Sequence, residues 1–401
     1  MKPDSLAPGF LAALRMTCVA GVLLAACGQA PVASPSGAPS SAAAKVAAST
    51  SSAASPKPAA SAAPSTGVSA AASAKPGAGA AASAKPGGPV ISTGHLGSIA
   101  DIATYVALER GYFAQAGVNA QLELFKTAAD EIPQLASGQL LIGAGGVNAG
   151  LFNAVAQGIP VSLAADQNST PASFTGTGWF VREDLADSVK DPKDLKGKTI
   201  AMGSTGSVID TELDIMLRQA SLTTADVNVK SIPYGDQPAA MSNKSIDVTY
   251  AFQPFSTVMV NQKLARLWKS SGQIVPNHQT TVILYSPAVV EKNADSARNW
   301  MVGYLRGVRD VVSGYGRSNV LPDDLIDIML KHSAIKDAAQ LRSQKLPGMN
   351  PDGYVNKDSL KLDLDYFVKA GFVKSPPDLE KVVNPAFVDF AISKLGKYQP
   401  A

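Results

Sequence analysis

The sequence predicts an α/β protein of two lobes, each a mainly parallel sheet flanked by helices, joined by two chain crossings. Short apolar runs alternate with helical patterns from Val90 onward, with crossovers of only about 10 to 15 residues, the rhythm of parallel βαβ units. A second series of the same kind begins at Thr199-Ile200-Ala201-Met202. After it, Thr281-Val282-Ile283-Leu284-Tyr285 reads as a strand returning to the first lobe.

In chain order, the first series opens with a strand at Val90-Ile91-Ser92 and a helix from Ile99 to Phe113. It continues with a strand at Gln121 to Phe125, a helix at Ala129 to Ala136, a strand at Leu140 to Gly143, a helix at Val147 to Ala156 and a strand at Val161 to Ala165. In the second series a helix spans Val208 to Ala220, a strand Val227 to Ile232, a short helix Gln237 to Asn243 and a strand Val248 to Phe252. Trp300, Met301, Tyr304, Leu305, Val308, Val311 and Val312 recur at helical spacing and mark a C-terminal helix bracing the first lobe. The expected division is 88–180 for lobe 1, 181–278 for lobe 2, and 279–401 for the return to lobe 1 and the last helices.

The N-terminal part has another character. Lys2 and Arg15 precede an apolar or small run from Met16 to Ala26, too short to cross a bilayer of ~30 Å, which fits a secretory leader. It ends in Leu24-Ala25-Ala26-Cys27, similar to a bacterial lipobox, so cleavage after residue 26 and lipidation of Cys27 are expected. The other cysteine, Cys18, lies within the leader, which leaves the mature chain without a disulfide or a thiol nucleophile beyond Cys27. Residues 27–87 are Ala, Ser, Pro and Gly with a few lysines, and Ala71–Gly77 and Ala81–Gly87 repeat AASAKPG. Such a stretch cannot bury enough apolar surface to fold and reads as a tether. With 35 basic and 32 acidic residues, no excess of positive charge points to nucleic acid.

In an open α/β sheet, ligands sit beyond the carboxyl ends of the strands. The turns there offer His95, Gly97 and Ser98; Thr127; Gly145, Gly146 and Asn148; Asp166 and Gln167; Ser204, Thr205, Gly206 and Ser207; and Tyr234. Phe252 and Gln253 close the last strand of the second lobe, with Gln253-Pro254 placed to line a hinge. Free N–H groups at helix starts would favour an anion. The alternative for each turn is an ordinary helix cap. Catalytic motifs fare worse: Gly197-Lys198-Thr199 lacks the leading glycine of a P-loop, and neither GxSxG nor HExxH occurs. His95, His278 and His332 are isolated in sequence, so neither a metal nor another cofactor is expected. His95 with Asp101 or Asp236 is the one acid–base pairing available to an enzyme.

Four stretches, Tyr105–Phe113 (YVALERGYF), Leu135–Gln139 (LASGQ), Asp194–Ala201 (DLKGKTIA) and Ile246-Asp247-Val248, carry a resemblance. From about Ile91 to Trp300 the chain resembles the nitrate, sulfonate and taurine substrate-binding proteins of ABC importers and the related pyrimidine-precursor binding proteins of thiamine supply. The resemblance implies the two-lobed type II periplasmic-binding-protein fold, a hinge, and closure around one small molecule. It also implies a permease and an ATPase as partners, an extracytoplasmic location, a monomer and no catalysis, with a small organic or inorganic anion such as a sulfonate or nitrate, or a pyrimidine-like compound, as the expected ligand. The alternatives are a ligand sensor or accessory surface lipoprotein of the same fold and, after it, an enzyme acting on a small heterocycle. Leu141 and Lys244 depart from the family pattern, which often has an acidic residue and a glycine there. The cysteine-rich motif of the eukaryotic pyrimidine-synthesising relatives is absent.

Overall fold

The computed structural model describes residues 87–316 and 320–400. The expected leader, Cys27 and the tether as far as residue 86 lie outside the described residues. The chain begins with β1 (Val90–His95), a 3-10 turn (Ile99–Asp101), α1 (Ile102–Glu109), α2 (Tyr112–Gln115), β2 (Asn119–Leu124), α3 (Ala128–Ser137), β3 (Ile142–Gly146), α4 (Ala149–Ala156) and β4 (Ser162–Thr170). It then forms β5 (Thr177–Arg182), β6 (Thr199–Met202), α5 (Val208–Gln219), β7 (Asn228–Ser231), α6 (Gln237–Ser242), β8 (Val248–Phe252), α7 (Phe255–Asn261), β9 (Ala265–Ser270) and α8 (Ser271–Ile274). The return comprises β10 (His278–Tyr285), α9 (Pro287–Lys292), α10 (Ala294–Gly316), α11 (Asp323–His332), α12 (Ala338–Ser343), α13 (Lys357–Lys369), α14 (Leu379–Val382) and α15 (Ala386–Leu395).

Two five-stranded sheets result, with orders β2-β1-β3-β10-β4 and β7-β6-β8-β5-β9. In the first, β1 pairs parallel with β2 and β3, and β10 inserts antiparallel between β3 and β4. In the second, β6 pairs parallel with β7 and β8, and β5 runs antiparallel between β8 and β9. Each sheet therefore has four strands in one direction and one reversed. The reversed strand is the one laid down just after the chain crosses between sheets. Thr281–Tyr285 returns to the first sheet as the sequence predicts.

The first sheet is backed by α1, α10, α11 and α15, which share a core around Trp300. The Trp300 ring stacks between Phe113 and Tyr304, each centroid 5.2 Å away, and its Nε1 donates to Thr93 Oγ1 at 3.2 Å. Close approach of α10 to α1 requires Gly307, since a Cβ there would lie 2.3 Å from the Ala103 carbonyl oxygen. Burying the apolar face of this 23-residue helix, from Trp300 to Val311, is what holds it in place.

The structure corrects several expected boundaries. The run expected to end at Ala165 continues as β4 to Thr170, so Asp166, Gln167 and Asn168 are strand residues, not a turn. Three buried polar side chains are tolerated there because each is hydrogen-bonded. Thr177–Phe180, expected in the first lobe, belong to β5 and the second sheet, while His278 already belongs to β10 and the first. The last helices do not all brace the first lobe: α13 packs against α4, α5 and β10, at the junction of the two sheets.

Candidate functional site

The carboxyl ends of β3 and β6 face each other across an open cleft of about 460 Å³, whose lining includes Gly146, Asn148, Ser204, Thr205, Gly206, Ser207, Thr280 and Phe372. A smaller cavity of about 220 Å³ shares Ala129, Gly146, Asn148 and Gly150 with it and extends past Ile132, Gly145 and Leu284. The two lobes touch at the cleft. Ala149 N–H donates to the Gly206 carbonyl at 2.8 Å, and Asn148 and Ser207 form an antiparallel bridge. On another edge, Gln253 Nε2 donates to the Ser343 carbonyl at 3.0 Å and Gln253 Oε1 accepts from Lys345 N–H at 2.6 Å. The residue expected to line a hinge thus ties the end of β8 to the segment after α12.

Four of the side chains expected to meet a ligand, Ser98, Thr127, Asn148 and Ser207, are helix caps. Ser98 with Asp101, Thr127 with Asp130, and Ser207 with Asp210 form capping boxes, an aspartate standing where Glu or Gln is usual. Asn148 Oδ1 caps α4 by accepting from Leu151 N–H at 2.9 Å. Asp166 is fully enclosed: Oδ1 accepts from Gln279 Nε2 at 2.6 Å and Oδ2 from Asn350 N–H at 2.8 Å. Burial pushes its carboxyl up to about 7, against the pull of those two donors. Gln167 Nε2 donates to Asp101 Oδ1 at 3.1 Å and so braces the turn after β1.

Ser204 and Thr205 differ from these. Both are exposed on the cleft wall, and no side-chain hydrogen bond commits either hydroxyl among the described residues. Tyr234, Phe252 and Phe255 form an aromatic cluster in the second lobe, with Tyr234 and Phe252 edge to face at 4.5 Å. The Tyr234 ring lies so close over Gly203 that a Cβ there would meet it at 2.2 Å.

His95, at the end of β1, is held in one tautomer. Gly97 N–H donates to its Nδ1 at 3.2 Å, and the Tyr105 hydroxyl lies 2.7 Å from the same nitrogen, so the ring proton sits on Nε2. Burial, then the charge of His332, lowers the His95 pKa, which keeps the ring neutral at pH 7. The acid–base pairing of His95 with Asp101 does not form. Asp101 Oδ2 accepts from the N–H groups of Ser98 and Leu96 at 2.9 and 3.2 Å, and His95 turns to Tyr105.

A charged centre that sequence reasoning missed lies where α13, α5 and β10 meet. His278 Nε2 is 2.9 Å from Asp363 Oδ1 and its Nδ1 is 3.3 Å from Glu212 Oε1, and all three side chains are completely buried. Glu212 Oε2 also accepts from Trp179 Nε1 at 2.9 Å and Ser271 Oγ at 3.1 Å. Because the group is sealed from solvent, it holds the lobe junction and cannot meet a substrate. No local motif announces it, since its members are 66 and 85 residues apart in sequence.

A family model described as NMT1/THI5 like matches residues 100–313, more than half of the chain. The chain belongs to the NMT1/THI5-like family. A protein of Brucella abortus, named only as a binding protein, is 23% identical over 300 residues, covering 71% of this chain and 87% of its own length. Among solved structures, the chain is similar to the periplasmic aliphatic sulphonate binding protein SsuA from Escherichia coli. The TM-score is 0.60 at 18% identity, covering 74% of this chain and 92% of that one. The periplasmic nitrate-binding protein NrtA from Synechocystis gives 0.61 at 13% identity, covering 78% and 90%. The desulfurization enzyme DszB gives 0.54 at 12% identity, covering 76% and 99%. At these identities the likeness is one of fold: the two sheets of this NMT1/THI5-like chain correspond to the two lobes of that shared α/β fold.

Proposed function

We propose that this protein is a solute-binding lipoprotein which captures one small molecule between its lobes outside the cytoplasm and presents it to the permease and ATPase of an ABC importer. The observation that carries the reading is the cleft itself: walls from two separate sheets, uncommitted Ser204 and Thr205 on one side, and a direct backbone bond from Ala149 to Gly206 that exists only when the lobes meet. The two crossings, from β4 to β5 and from β9 to β10, are the places where a hinge would bend. Cys27 would hold the protein at a membrane by its lipid, with the Ala/Ser/Pro-rich segment as the tether. Among the described residues no helix is long and apolar enough to cross a membrane. Cys18 and Cys27 are the only cysteines, so the folded lobes offer no thiol for covalent chemistry.

The test is a thermal-shift screen of the purified protein against small metabolites, followed by small-angle scattering with each hit. A ligand at 100 times its Kd stabilises the folded state by about 2.7 kcal/mol. The expected result is a stabilising hit that also reduces the radius of gyration and is recovered chemically unchanged. Turnover of the hit would overturn the reading in favour of an enzyme.

A further inference from the structure

We propose that the protein carries a second binding pocket, beside the chain crossing from β4 to β5 and separate from the cleft, which takes a compact apolar molecule with a single oxyanion end such as a carboxylate. The cavity has a volume of about 420 Å³, within the range of small-molecule sites. Three stretches of chain wall it: the crossing itself at residues 171–175, the end of α10 at residues 311–316, and the segment after α12 at residues 345–349. Among the described residues it shares no lining with the cleft or with the smaller cavity adjoining the cleft. The proposal therefore goes beyond the solute-binding reading and does not depend on it.

Phe174, Val311, Val312, Leu346, Pro347 and Met349 supply apolar walls, and an apolar body entering between them leaves water behind. The walls are fixed from outside the cavity. Pro171 is clamped between two glycines: a Cβ on Gly272, in the crossing from β9 to β10, would lie 2.0 Å from the Pro171 carbonyl oxygen, and one on Gly348 would lie 2.6 Å from its Cδ. Ser169 N–H donates to the Gly348 carbonyl at 2.8 Å and Gly348 N–H to the Ser169 carbonyl at 2.9 Å, while Gln253 holds the Lys345 N–H. The pocket is thus preformed. Among the described residues that line it, Lys345 alone is charged. Lys345 is exposed, so it stands at the mouth, and its ammonium has neither an ion pair nor a hydrogen bond among the described residues. Ser173 and Thr175 are exposed there too, with hydroxyls equally uncommitted. One unpaired cation and two free hydroxyls at the rim of an apolar cavity that no carboxylate lines complement one negative charge spread over oxygens, attached to an apolar body.

The experiment titrates three molecules with one chain and different ends, octanoate, 1-octanol and octylammonium, into the purified protein by calorimetry. Beside wild type it uses Lys345→Gln, which removes the charge, and Val312→Phe, which fills the cavity from the half-buried side of α10. Circular dichroism establishes that each variant is folded; should Val312→Phe not fold, Thr175→Trp obstructs the same cavity from an exposed position. The expected result is one-to-one binding of octanoate to wild type, at least threefold tighter than 1-octanol, with octylammonium weakest, a margin in keeping with an exposed cation. Lys345→Gln should abolish the preference for octanoate over 1-octanol, and the cavity-filling variant should weaken octanoate at least tenfold. No octanoate binding at millimolar concentration, or 1-octanol bound as tightly as octanoate, overturns the inference. So does a preference that survives in folded Lys345→Gln, or a folded cavity-filling variant that keeps its affinity for octanoate, which would put the molecule elsewhere. The solute-binding reading, which concerns the cleft, stands under every one of these outcomes.

Discussion

Replacing His278 by glutamine should cost the protein about 3–5 kcal/mol of stability at pH 7. The imidazole lies between two carboxylates, 2.9 Å from Asp363 and 3.3 Å from Glu212, with no exposed surface on any of the three. Burial alone would lower the His278 pKa, but the hydrogen bonds and charges of Asp363 and Glu212 outweigh it and raise the value from 6.5 to about 10. At about 1.4 kcal/mol per unit, that shift sets a ceiling of roughly 5 kcal/mol on the stabilisation contributed by protonation. Because the folded pKa exceeds the unfolded one, the contribution is complete below pH 6.5 and disappears as the pH rises from 6.5 through 10. His278→Gln would leave two buried carboxylates facing a neutral amide. Urea unfolding followed by tryptophan fluorescence at pH 6, 8 and 10 measures the effect, and Trp179, bonded to Glu212, sits beside the perturbation. The gap between wild type and variant should narrow with rising pH, and a triple variant that adds Glu212→Gln and Asp363→Asn should recover more than half of the loss. A loss below about 1 kcal/mol at pH 7, or a gap that does not change with pH, would refute the assignment of His278 as a charged pin between the lobes.

Two further outcomes follow from the same geometry. Burial pushes the Glu131 carboxyl up to about 8, against the pull of the Ala144 N–H, so the folded state favours its protonated form and loses that advantage as the pH rises from 4.5 through 8. Glu131→Gln should match wild type near pH 4 and exceed it by up to about 5 kcal/mol at pH 8; denaturation curves with a pH-independent difference would contradict this. Ala149→Pro removes the N–H given to Gly206 while retaining α4, because proline suits the first helical position and Asn148 before it is already extended (φ −155, ψ 167). Losing one interlobe hydrogen bond should weaken ligand binding about two- to tenfold by calorimetry, and unchanged affinity would show that the bond does not contribute to closure.

The elements legible in the sequence were those whose signal is local. Apolar runs such as Thr199–Met202 and Thr281–Tyr285 became strands, and the spacing from Trp300 to Val312 became the long helix over the first sheet. Asp166-Gln167-Asn168 looked like a turn because three polar residues rarely sit inside a buried strand. Here Gln279 and Asn350 donate to Asp166, Asp101 accepts from Gln167 and Ala100 accepts from the Asn168 amide, all from distant parts of the chain. Among the described residues, only Asn168 Oδ1 of these groups is buried without a partner. β5 and β9 went unassigned, and the exposed Arg266 and Leu267 of β9 leave it without a clear apolar face. The Ser-x-x-Asp and Thr-x-x-Asp spacings at Ser98, Ser207 and Thr127 are local signals of a helix cap, and at Ser98 and Ser207 a preceding glycine suits a ligand contact equally well. The structure shows that the same four-residue pattern closes the helix start upon itself. What remained illegible was long-range: His278 gains its meaning from Glu212 and Asp363, and neither neighbourhood hints at the other.

The order in which the chain supplies the two sheets has its own consequence. Every strand of the second sheet comes from one continuous stretch, Thr177 to Ser270, whereas the first needs β10 from beyond it. A fragment ending anywhere between residues 270 and 278 would contain all of the second sheet but would leave β3 and β4 of the first with bare edges where β10 belongs. The charged pin at the junction waits longer still, for Asp363. The lobe that the chain begins first is the one it completes last.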